Sequence, residues 1–151
     1  MALAATLAAA AFGCGDNPVT PTGVARAALT VTASPSPIAA VQTSVVGPVF
    51  FLMWTVNIQE TAGLGGEVQE VRASLFDDVT GVLVAVVSFD SDDLTVFVGS
   101  KRIEPNGSLA VPQQLSYTLP DGRHTANLTI TVTFRDDRGN NIDQAVLVKV
   151  I

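Results

Sequence analysis

The stretch RHTANLTITVTFRDDRGNNIDQAVLVKVI, residues 123–151, decides how the rest of the chain is read. In its first half, His124, Ala126, Leu128, Ile130, Val132 and Phe134 fall on one parity. Thr125, Asn127, Thr129, Thr131 and Thr133 fall on the other. Strict period-2 alternation of apolar and polar residues predicts a half-buried antiparallel strand. Residues 135–141 then supply turn chemistry in Arg135, Asp136, Asp137, Arg138, Gly139, Asn140 and Asn141. A second strand follows, with Ile142, Val146, Val148 and Val150 alternating against Asp143, Ala145, Leu147 and Lys149. A two-stranded hairpin is marginal alone in water, so residues upstream must supply the opposite wall of a core.

The composition supplies material for that wall. Of 151 residues, 48% are apolar and only 15% charged, enough for one domain with appendages. Val and Thr are abundant, which favours sheet. The net charge of −6 argues against nucleic acid as a partner, because that interaction needs a basic face. The only adjacent basic pair is Lys101-Arg102. The single cysteine, Cys14, has no second thiol for an internal disulfide or a cysteine metal cage.

Residues 28–33 alternate as a short strand with Leu29 and Val31 facing in. Ser34-Pro35-Ser36-Pro37 breaks it, since proline donates no ladder hydrogen bond. This marks an edge strand whose continuation, 38–46, is irregular or switches sheets. Residues 49–59 form the most apolar strand. Phe50, Leu52, Trp54, Val56 and Ile58 share one face, and Phe51 and Met53 lie on the other. The loop 61–66 has glycines at 63, 65 and 66 but no following Lys-Ser/Thr or helix, so it is a turn rather than a phosphate cradle. Residues 68–76 alternate again, and 77–81 is a hairpin turn. The run 82–89 is apolar on both parities, which leaves its facing open. Asp90, Ser91, Asp92 and Asp93 end it, and 94–98 is a short strand candidate. Residues 99–107 make an excursion around an edge. Leu115, Tyr117 and Leu119 alternate as a strand, and 120–122 turns into the hairpin.

The sum is an all-β chain of seven to nine strands, with no clear helical period and turns at roughly 8–12-residue spacing. It predicts an immunoglobulin-like antiparallel β-sandwich over residues 28–151. The segment Leu119-Pro120-Asp121-Gly122-Arg123-His124 resembles the E–F corner of fibronectin type III domains, with His124 near the place of the corner tyrosine. Residues 134–140 are similar to the F–G turn of bacterial adhesion-type repeats. These resemblances imply a binding or spacer module.

The N-terminus carries an address. Residues 2–12 are an uncharged run of Ala and Leu with one Thr and one Phe, of signal-peptide length and too short to span a bilayer. Ala11-Phe12-Gly13-Cys14 resembles the bacterial lipobox, with Ala11 where Leu is usual. The resemblance implies a signal peptide over 1–13 and lipid on Cys14. It implies an exported protein anchored in a bacterial membrane and facing periplasm or cell surface. Several acyl chains on one residue make a durable anchor, at about 0.8 kcal/mol per buried CH₂. Residues 14–27, rich in Pro, Gly and polar residues, are the expected flexible tether.

Chemistry is sparse. The only histidine, His124, stands at the predicted strand start and is expected to be a structural corner residue rather than a base. No serine sits in a Gly-x-Ser-x-Gly setting, and no cofactor is expected. The aspartates lie in turns. The topology predicts Asp90, Asp92, Asp93, Asp136 and Asp137 at one end of the sandwich, where their oxygens are candidate Ca²⁺ ligands. Asp77 and Asp78 are expected at the other end. Turn capping is the plainer role for all of them. The leading expectation is a non-enzymatic cell-envelope lipoprotein that binds an envelope protein or glycan, or serves structurally. The alternatives are a carbohydrate- or peptide-binding accessory domain centred on Phe51 and Met53 or the 63–66 loop, and a calcium-stabilised adhesion module.

Overall fold

The computed structural model describes residues 25–151. The expected signal segment, the lipidation candidate Cys14 and most of the expected tether lie outside the described residues. Nine strands form two antiparallel sheets, sandwich-like and not closed into a barrel. The strands are β1 (Leu29–Ser34), β2 (Val41–Gln42), β3 (Phe50–Glu60), β4 (Gly66–Asp77), β5 (Leu83–Asp90), β6 (Arg102–Ile103), β7 (Ser108–Tyr117), β8 (Ala126–Asp136) and β9 (Asn141–Val150). One short helix, α1 (Ser91–Phe97), follows β5.

In the first sheet β3 is central. It pairs with β7 along one side and with β1 and β2 along the other. In the second, β4 pairs with β8 on one side and with β5 and β6 on the other, and β9 closes the far edge against β8. The opening hairpin is therefore β8–β9, with Phe134 opposite Ile142 and Leu128 opposite Val148.

On β3 and β8 the alternation read from the sequence is the alternation observed. Leu52, Trp54, Val56 and Ile58 of β3 are buried, as are Leu128, Ile130, Val132 and Phe134 of β8. All belong to one apolar core. Each such burial stabilises by roughly 1.5–3 kcal/mol. On β4 both Val68 and Val71 are buried, although they sit on opposite parities. A register irregularity between Val68 and Glu70 adds the one residue that returns the apolar set to the core.

The chain between β1 and β2 does switch sheets. Ile38, fully buried, makes a parallel bridge to Val150, and its N–H donates to the Lys149 carbonyl at 2.9 Å. The fold also reaches back two residues before the expected boundary at 28. Arg26 donates to the Asn141 carbonyl at 2.8 Å, and the Ala27 N–H donates to Asp136.

Two expectations are corrected. Residues 94–98 are not a strand; α1 occupies 91–97. Its cause is local: the Asp90 carboxylate accepts from the N–H groups of Asp92 and Asp93, both at 2.9 Å, and Asp93 reaches back to the Asp90 N–H. This reciprocal capping box satisfies the free donors of a first helical turn, and Leu94, fully buried, pins the helix to the core. His124 is not on a core-facing strand position. It is exposed and precedes β8, whose first residue is Ala126. The corner is instead tied by Tyr117, whose hydroxyl donates to the His124 carbonyl. Burial and the nearby Asp78 charge push the Tyr117 hydroxyl up to about 12.

Candidate functional site

Of the five candidate aspartates, Asp90, Asp93, Asp136 and Asp137 are structural anchors already supplied with donors, while Asp92 contributes only its backbone N–H to the α1 cap. Asp90 and Asp93 form the α1 cap described above. Asp136, almost fully buried, accepts from the N–H groups of Ala27, Arg138 and Asn140 and from the Asn140 side-chain amide. Burial pushes its carboxyl up, but those hydrogen bonds outweigh it and hold the group below the ordinary range. Asp137 is gripped by both terminal nitrogens of Arg102, at 2.9 and 3.0 Å, and this lowers it. The strand register puts Asp136 opposite Gly66 and Asp90 opposite Glu70, both toward the start of β4, while Asp77 ends that strand. The five aspartates share an end, as expected. They are not gathered: among the described residues, no group of three or more His, Cys, Asp or Glu is placed to hold a metal ion. At the opposite end, Asp77 is clamped by Arg123 through two 2.8 Å hydrogen bonds, which hold its carboxyl far below the ordinary range.

The glycine loop has a packing explanation. A Cβ on Gly66 would run into the backbone of Arg135 and Asp136, and one on Gly65 would meet the Ile103 carbonyl at 2.9 Å. The loop hangs on a residue that local patterning does not single out. Glu60, the last residue of β3, is fully buried and accepts N–H bonds from Ala28, Ala62, Gly63, Leu64 and Asn106.

Among the described residues a larger cleft lies elsewhere, where the edges of β5 and β7 come together beside α1. A cleft of about 730 Å³ is lined there by Met53, Trp54, Val87, Phe89, Phe97 and Gln113 together with neighbouring residues. None of its lining residues is charged. Met53 and Phe97 are 65% and 66% exposed, so segment 38–46 does not cover Met53. Phe51, opposite Val41, is half-buried. Phe97 stacks on Phe89, with ring centroids 5.6 Å apart. Trp54 and Gln113 are directly paired across β3 and β7, and both are almost fully buried. The Gln113 amide nitrogen donates to the Val71 carbonyl, but its Oε1 has no partner, and neither has Trp54 Nε1. A buried donor and a buried acceptor without partners each cost about 1–3 kcal/mol. They are the unpartnered polar groups of an uncharged lining that also includes Ser34, Thr55 and Gln114, and are the ones a ligand would satisfy.

No family model matches the sequence, and no curated protein matches it. Solved structures with a similar fold do exist. One is the Northeast Structural Genomics Consortium target SoR45: TM-score 0.60 and 10% identity, covering 80% of this chain and 84% of that one. Another is a Bordetella pertussis protein described as ApaA: TM-score 0.59 and 15% identity, covering 83% and 96% of the two chains. At these identities the likeness is one of fold.

Proposed function

We propose that this chain is a non-enzymatic, immunoglobulin-like binding module of the bacterial cell envelope, tethered to a membrane through a lipidated Cys14. The observation that carries the module reading is the connectivity. The chain runs through β3 in one sheet, crosses to β4 and β5 in the other, returns to β7, and crosses again to β8 and β9. That exchange between sheets supports the reading, because Greek-key crossings of this kind connect the sheets of immunoglobulin-like and fibronectin type III-like sandwiches. The uncharged cleft between β5 and β7 favours binding through an exposed surface, with Met53 at its rim, over a purely structural role. The lipobox-like run ending in Gly13-Cys14 supports the membrane address.

The address is tested by fractionating cells that express the full chain and its Cys14→Ser variant. The wild type is expected in the membrane fraction with a processed, lipid-bearing mass. The variant is expected unprocessed or soluble. A variant that stays in the membrane with an unchanged processed mass overturns the lipoprotein reading.

A further inference from the structure

We infer that the β5 edge and the cleft beside it take an extended, uncharged apolar peptide from a partner protein, added to the sheet as a further strand. The inference rests on the binding-module reading above and names its ligand class.

The first observation is the state of the edges. A free strand edge offers unpaired N–H and C=O groups, and native sheets guard such edges with proline, charge or a covering segment. β1 runs into Pro35 and Pro37, and β7 carries Pro112 in mid-strand. β9 carries Asp143 and Lys149 and is covered at its end by Ile38. β5 is different. It pairs only with β4, and before its terminal Asp90 the seven residues 83–89, Leu-Val-Ala-Val-Val-Ser-Phe, hold neither proline nor charge. Leu83 and Val86 on it are 49% and 39% exposed. A long, apolar, unguarded edge is a template for another strand.

The second observation is independent of the first. Val87 and Phe89 of β5 line the cleft that holds the unpartnered Trp54 Nε1 and Gln113 Oε1. An indole N–H only donates, and a carboxamide oxygen only accepts. A peptide backbone presents a carbonyl for the first and an N–H for the second. Its apolar side chains then meet Met53, Phe89 and Phe97. The uncharged lining selects against charged side chains at those positions, because each would be desolvated without a counter-ion. A neutral glycan could supply hydroxyls to the same two atoms, but it would make no use of the β5 ladder. The peptide answers both observations at once.

The test pans a phage-displayed library of random octapeptides, the length of β5, against the full-length chain. Enriched sequences are resynthesised with capped ends, alone and with alternate amides N-methylated. Binding is read by calorimetry and by the emission of Trp54, the only tryptophan. Cellohexaose and chitohexaose form the parallel arm. The expected result is enrichment of uncharged peptides with alternating apolar residues. Loss of ladder donors by N-methylation, and a guard charge from Val86→Lys, should each weaken binding at least about tenfold. Phe97→Ser, at a 66% exposed position, should weaken it at least about tenfold while lowering Tm by only a few degrees, about the worth of the lost Phe89 stack. It carries the test if Val86→Lys proves unstable. No enrichment, or N-methylated peptides that bind as well as their parents, overturns the inference. So does a dimer in sedimentation that Val86→Lys dissociates, since the occupant is then a second copy. Oligosaccharide binding in place of peptide overturns it too, while leaving the binding-module reading intact. The Cys14 fractionation tests the membrane address separately.

Discussion

Glu60 offers the most demanding test of how this fold is held. Its buried carboxylate joins the loop that follows it, at 62–64, to two segments remote in sequence: the approach to β1 at Ala28 and the turn at Asn106. Oε1 accepts from the N–H groups of Ala62 at 2.7 Å and Ala28 at 3.4 Å. Oε2 accepts from Gly63 at 2.9 Å, Leu64 at 3.1 Å and Asn106 at 2.9 Å. Glu60→Gln keeps the shape and turns one acceptor into an N–H₂ donor. In the better orientation the new amide faces Ala62 and the long Ala28 contact. One short charge-assisted bond is then lost, at about 1.5–3 kcal/mol, and the three on the other oxygen weaken as the charge disappears. The expected total is about 2–4 kcal/mol. At roughly 3–5 °C per kcal/mol for a domain of this size, Tm should fall by about 6–20 °C.

The assay is urea unfolding followed by Trp54 emission, since that side chain is only 3% exposed in the native state. The pH dependence supplies a second reading. Burial pushes the Glu60 carboxyl up, but the N–H bonds of Asn106, Ala62, Ala28 and Gly63 outweigh burial, and the net shift is downward. A carboxyl lowered in the native state contributes stability that is present above its unfolded pKa, about 4.3. That contribution is lost as pH falls through the native value. The gap between wild type and Glu60→Gln should therefore be widest at neutral pH and shrink toward pH 3. A destabilisation below about 0.5 kcal/mol at neutral pH, within the range of an inert surface change, refutes the latch. So does a gap that holds constant on acidification.

Four further outcomes are expected. Arg123→Ala leaves the buried Asp77 carboxylate without its cation and should lower Tm by roughly 5–10 °C, with the Asp77 titration, followed by NMR, moving up toward the ordinary range. Asp136→Asn removes charge from the acceptor of the Arg138 and Asn140 N–H groups, so amide exchange at those two residues should speed up roughly tenfold or more. Leu128→Ala, in the core, should cost about 2–5 kcal/mol in urea unfolding, whereas Leu147→Ala, at a 64% exposed position, should stay within about 0.5 kcal/mol. Tyr117, the only tyrosine, should ionise near 12 in a near-ultraviolet titration. Its native pKa is raised, so the stability linked to it is present below about pH 10 and lost as pH rises through 12.

What the sequence reveals here, and what it hides, follows from the range of each interaction. β3, β8 and β9 were legible because a strand with one wet face writes its orientation every second residue, and no distant partner is needed to read it. The change of parity between Val68 and Val71 was not legible: residues 68–76 read as one continuous alternation, and the bulge that keeps both inside shows only in the pairing with β8. Helix α1 was hidden because seven residues make about two turns, too few for a 3.6-residue period to stand out. Its signal was the spacing of Asp90 and Asp93, which an acidic cluster invites one to read as a metal site. The capping reading needed only local geometry. Glu60 is a different case. A lone charge after an apolar strand looks like the strand's wet end; three of its donors lie in the loop just after it, but Ala28 and Asn106 come from segments that only the folded sheets bring near. The cleft was half written. The uncharged run from Leu83 to Phe89 is visible, and so is Pro112, which guards one edge while that run guards nothing. That β5 and β7 are neighbours in space is a property of the pairing of the two sheets, and neither strand states it alone. Long-range anchors and edge clefts are therefore where the structure adds most. The β5 edge joins the two kinds of information: its composition shows that it is unguarded, and its position shows what an added strand would touch.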